Sequence, residues 1–83
     1  MNIYNKLSLT IKLMAKKCTK ITPENLIKHG FVAFQAKNGI CYIKGSIAVT
    51  YYNVIWVACS IIYDTIYYQR IYFNSLEEIE SFV

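Results

Sequence analysis

The chain has little of what recognisable chemistry is built on. It carries one histidine, His29, and three cysteines, Cys18, Cys41 and Cys59, an odd number with no C-x-x-C pair. That excludes a zinc knuckle or a disulfide framework, so no metal and no cofactor is expected. Cys41 and Cys59 lie inside apolar runs and are expected as small buried hydrophobes, which fits a reducing cytoplasm. There is no Gly-rich phosphate loop, no G-x-S-x-G and no pair of inward carboxylates. Glu77, Glu78 and Glu80 fall in one short helical stretch, where carboxylates serve as caps and dipole partners. His29 stands before a helix-ending glycine, where an imidazole pairs with the last carbonyls. An enzyme is not expected.

Long hydrophobic runs are missing as well. The longest, Val54 to Ile62, has nine residues, against the ~20 that a spanning helix needs. Residues 7–14 are apolar, but Lys12 interrupts them and no small-residue cleavage site follows, so neither a membrane span nor a signal peptide is expected. Gly, Ala, Arg and Pro fill only 10 of 83 positions, whereas Phe, Tyr, Met, Ile, Asn and Lys fill 41. With eight Lys to one Arg, this is what codons poor in G and C encode.

What is present is apolar bulk and unevenly spread charge. Ile (13) and Tyr (8) dominate, and both favour pleated strands. Net charge is +4, but residues 1–44 carry eight Lys against Glu24, while residues 45–83 carry Arg70 against Asp64, Glu77, Glu78 and Glu80. Lys6, Lys12, Lys16, Lys17 and Lys20 have no acid among them. Such an arm suits RNA or an acidic protein surface, or else serves as a solvated, solubilising face. Met14-Ala15-Lys16-Lys17 reads like a second start. Residues 1–13 are therefore expected as a basic extension, flexible or an edge strand given the alternation of Leu7, Leu9, Ile11 and Leu13, and residues 14–83 as one small domain.

Within that domain both helix ends are marked. Thr22 is an N-cap, Pro23 takes the first helical position, Glu24 faces the positive end of the dipole, and Gly30-Phe31 closes the helix. Strands follow at residues 31–37, 40–44, 47–52, 54–62 and 66–73. Asn38-Gly39 predicts a type I′ hairpin turn, Gly45-Ser46 a second tight turn or a bulge, and Asn53 and Asp64-Thr65 further turns. The run at 54–62, apolar on both faces, predicts a strand covered on both sides. Ser75-Leu76-Glu77-Glu78 is a capping box opening a last helix, with Leu76, Ile79 and Phe82 or Val83 as its apolar stripe. The fold class is α+β: a short N-terminal helix, an antiparallel meander of four to five strands and a short C-terminal helix.

In the last strand, Tyr67, Gln69, Ile71 and Phe73 share one face, taken as the core side. Tyr68, Arg70 and Tyr72 share the other, which is expected to be open because two short helices cover only one face of the sheet. Aromatics interleaved with Arg suit the stacking of single-stranded bases or the anchoring of a protein interface; the plainer reading is that Tyr suits half-exposed strands.

The order T-P-E-N-L-I-K-H-G-F at 22–31, a strand meander, then S-L-E-E-I-E at 75–80 resembles a group of small phage and prophage proteins. These open with T-P-E-x-L and close with a Leu-Glu-Glu helix. The likeness covers about 60 of the 83 residues and rests on structural caps. A minority of small orphan proteins of this kind inhibit host defence, anti-CRISPR proteins among them. Together with the small size, the absence of recognisable chemistry, the polarised charge and the aromatic-rich sheet face, the resemblance implies a mobile-element binding protein that inhibits a host RNA-guided nuclease. On the charge and alternation read above, Lys6 to Lys20 are expected to meet the nuclease or its guide RNA, and Tyr68, Arg70 and Tyr72 to anchor it. Two other readings stand beside it: a stand-alone nucleic-acid-binding module, and an assembly protein burying a sheet face in a homo-oligomer.

Overall fold

The first helix, α1 (Pro23–Lys28), is built as its caps require. The computed structural model describes residues 18–83; the extension at 1–13 and Lys6, Lys12, Lys16 and Lys17 lie outside the described residues. Thr22 is extended at φ −136°, and its hydroxyl accepts from the Asn25 N–H at 3.0 Å. At the other end the Gly30 N–H donates to the Ile27 carbonyl and the Phe31 N–H to the Leu26 carbonyl, both at 3.0 Å. That is a Schellman closure, with Gly30 at φ +91°. Its effect is to bury Phe31 beside Leu26 and launch the sheet from the helix end.

Five strands follow: β1 (Val32–Ala36), β2 (Gly39–Lys44), β3 (Ile47–Tyr52), β4 (Ile55–Ile62) and β5 (Thr65–Phe73). They form one antiparallel sheet in the order β1-β2-β3-β4-β5. The meander, the two short helices and the α+β class are as expected.

The turns are not all where the turn residues place them. Gly39 pairs with Ala36, so the first loop is Lys37-Asn38, and Asn38 does not adopt the left-handed conformation that a type I′ turn over Asn38-Gly39 demands. The left-handed pairs stand instead at Asn53-Val54 (φ 51° and 61°) and Tyr63-Asp64 (φ 50° and 63°). Val54 is the costly one, because a β-branched residue at positive φ crowds its own carbonyl. Its side chain is 83% exposed and gains little packing in return. Val54→Gly should therefore raise stability by about 1 kcal/mol, read as a higher denaturant midpoint with an unchanged slope.

The sheet carries a core on each face. On the first, Val49, Trp56, Ala58 and Phe73 pack with Leu26, Phe31, Leu76 and Ile79 of the helical segments. On the second, Ala36, Cys41, Ala48, Cys59 and Ile66 form their own buried cluster, with Phe34, Ile43 and Ile61 against it. This corrects the expectation that the whole second face is open: it is covered here and stays exposed along Tyr68, Arg70 and Tyr72 of β5. The reason is curvature. The β1–β2 loop reaches the start of β5, at the far end of the strand order, where the Asn38 amide donates to the Ile66 carbonyl (3.0 Å) and accepts from the Ile66 N–H (2.8 Å). The Lys37 N–H also donates to the Asp64 carbonyl at 2.7 Å. The sheet thus curls over its own second face and needs no helix there.

The last helix, α2 (Leu76–Glu80), opens on Ser75, whose hydroxyl accepts from the Glu78 N–H. The Glu78 carboxylate reaches back one residue further than a capping box requires, to the Asn74 N–H. Leu76 and Ile79 are fully buried; Phe82 stays half-exposed, edge-on to Phe73. Glu77 ties down the start of the described chain: the Thr19 hydroxyl and N–H donate to its carboxylate at 2.6 and 2.8 Å. Those bonds hold its carboxyl below the usual range. A lowered folded value means that this contribution is complete above the unfolded pKa of ~4.3 and is lost as pH falls through the folded one. Melting followed from about pH 6 to about pH 3 should show a smaller acid loss in Glu77→Gln than in the parent, the variant being the less stable at the upper end.

Candidate functional site

β5 contains an irregularity that decides where its tyrosines go. Val57 pairs with Tyr72 and Cys59 with Tyr68, so three residues, Gln69 to Ile71, stand opposite Ala58 alone. A bulge bends the strand and re-aims side chains. The shift is by an even number, so alternation survives it, and Tyr68, Arg70 and Tyr72 stay together on the second face as the sequence predicts. The other face is not core along its length: Phe73 is buried, but Ile71 and Tyr67 are 41% and 52% exposed. The bulge and the edge position leave them without a covering layer.

The three predicted residues line one hollow of about 410 Å³, together with Tyr52, Asn53, Ile55, Val57 and Gln69. Its floor is Val57, buried in the sheet. Tyr52 and Tyr68 reach across β4 and stack, with ring centroids 4.1 Å apart and planes tilted by 25°. Tyr72 closes the opposite side and is 58% exposed. Among the described residues no acid lines the hollow and Arg70 makes no ion pair. The Gln69 amide is already used, donating to Ser60 Oγ at 2.6 Å.

Lys20, the one predicted lysine within the described residues, lies elsewhere. It borders a hollow of about 500 Å³ on the helical face, with Ile21, Tyr42, Tyr51 and Trp56 among the walls. Tyr51 and Tyr52 are neighbours on β3, as Trp56 and Val57 are on β4, so the two hollows open on opposite sides of the sheet. The structure brings Tyr68, Arg70 and Tyr72 together and separates Lys20 from them. Tyr52 and Asn53 were missed by sequence reasoning. The only signal was the Tyr51-Tyr52 pair ending β3, which alternation splits between the faces.

The four glutamates each have a partner. Glu80 meets Lys44 at 3.0 Å and His29 Nδ1 at 3.6 Å, Glu24 pairs with Lys28, and Glu77 and Glu78 make the bonds described above. Burial pushes the Cys59 thiol up to about 12 and raises Cys41 as well, so both remain protonated near neutrality. Among the described residues no group of three or more His, Cys, Asp or Glu could hold a metal ion, and no helix is long and apolar enough to cross a membrane. No protein-family model, curated protein or solved structure matches the chain.

Proposed function

We propose that this is a non-enzymatic binding protein of a mobile element that inhibits a host RNA-guided nuclease by occupying the nuclease or its guide RNA. The observation that carries the reading is the convergence of Tyr52, Tyr68, Arg70 and Tyr72 on one open hollow while all four glutamates have partners elsewhere. Tyr and Arg are the residues that dominate binding surfaces, because they offer large, rigid area with a polar end. Arg70, between exposed tyrosines and without an ion pair among the described residues, suits an anchor. The identity of the partner follows the resemblance in residues 22–31 and 75–80.

The test is inhibition of purified RNA-guided nucleases by the full chain and by Tyr68→Ala and Tyr72→Ala. Each substitution is at an exposed site and should change stability by less than ~0.5 kcal/mol, checked by thermal melting. Inhibition should fall at least tenfold, about 1.4 kcal/mol of binding. Variants that melt and inhibit like the parent remove the β5 face from the reading, and a parent that inhibits none of the nucleases removes the reading itself.

A further inference from the structure

We infer that the hollow between Tyr52, Tyr68, Arg70 and Tyr72 is a stacking site for an unpaired nucleobase of single-stranded RNA. The inference rests on the binding role given above to the β5 face and names what that face takes. Stacking needs an aromatic plane that is open to solvent yet fixed in orientation. Tyr52 and Tyr68 supply it: each ring holds the other at 4.1 Å, and both are exposed. The ordering of the platform is thus complete before a base arrives, which removes part of the entropy loss of binding. Tyr72 provides a second ring across Val57.

Charge points the same way. A base brings a phosphate with it, and among the described residues that line the hollow Arg70 is the cation, there is no acid, and Arg70 has no ion pair to break first. Arg suits a phosphate by its fork of donors. At the rim, Asn53 has an amide that makes no hydrogen bond among the described residues, a donor and acceptor of the kind that a ribose 2′-hydroxyl can meet. A duplex hides its base faces and cannot use the platform. Lys20, on the opposite side of the sheet, is not part of this site.

Fluorescence anisotropy of the full chain with labelled oligouridine, oligoadenosine, an RNA duplex and oligodeoxythymidine tests the inference. The single-stranded RNAs should bind at least tenfold better than the duplex, and no worse than the DNA. Tyr68→Ala or Tyr72→Ala should weaken RNA binding by between about fivefold and a hundredfold, the worth of one base–aromatic stack, and Tyr72→Phe should retain it. Arg70→Gln should flatten the dependence of log affinity on log salt by about 0.7, one phosphate contact on a single strand. Melting curves identify any variant that has lost its fold. Equal binding of duplex, tighter binding of the DNA, or Ala variants that bind like the parent overturn the inference. If the chain inhibits a purified nuclease through this face yet binds none of the RNAs, the ligand is a protein surface; the inference falls while the proposed function stands.

Discussion

Leu76→Ala should lower stability by about 2–5 kcal/mol, the range for removing a buried leucine side chain. Leu76 has no exposed surface and packs among Leu26, Phe31, Phe73 and Ile79. Its N–H also donates to the Thr19 carbonyl at 3.0 Å, so the same residue docks α2 and the start of the described chain. The cavity cannot collapse easily, because its walls come from a helix, a strand and a cap that are each fixed elsewhere. A domain this small has on the order of 5 kcal/mol in total, and each kcal/mol moves the midpoint by about 4–8 °C. Calorimetry should therefore find the variant melting tens of degrees lower or already unfolded at room temperature. Ile27→Ala, half-exposed on α1, is the matching control and should shift the midpoint by no more than a few degrees. A Leu76→Ala protein that melts with the parent would mean that α2 is not packed on the sheet.

The helices were legible because their determinants are local. Thr22, Pro23, Gly30, Ser75 and Glu78 each act within four residues; the first four act as their chemistry predicts, and Glu78 reaches back to the Asn74 N–H, one residue beyond the capping box. Strand alternation was legible for the same reason, and it placed Tyr68, Arg70 and Tyr72 on one face through a bulge that no local signal marks. The curl of the sheet was not legible in any single segment. One clue was present: Val54 to Ile62 is apolar on both faces, which requires a second covering layer, and two short helices cannot provide it. The missing layer is the sheet's own ends. Without the curl, Cys41 and Cys59 could be called buried but not assigned to a common cluster, and Tyr52 could not be placed across β4 from Tyr68.

Asn38 is the residue on which that curl turns, and its replacement is the sharpest probe of the architecture. Asn-Gly ordinarily marks a hairpin because both residues tolerate positive φ. Here Asn38 is not left-handed, and its amide acts like a length of sixth strand, satisfying both outward groups of Ile66 from 28 residues away in sequence. Asn38→Ala leaves that N–H and carbonyl without a protein partner beside a nearly buried side chain. Leaving such groups unmade costs roughly 1–3 kcal/mol, toward the lower end because Asn38 itself is exposed and water can reach part of the gap. Asn38→Asp retains the acceptor for the Ile66 N–H and loses the donor to its carbonyl, so it should fall between parent and Ala. Native-state hydrogen exchange resolves the matter by residue. The Ile66 amide should lose protection in Asn38→Ala well before Leu26 or Ile79 on the helical face does, because the second core opens first. Uniform loss across both cores would show instead that the two faces unfold as one unit. Unchanged protection at Ile66 would show that the curl is held by the Lys37–Asp64 bond and side-chain packing alone.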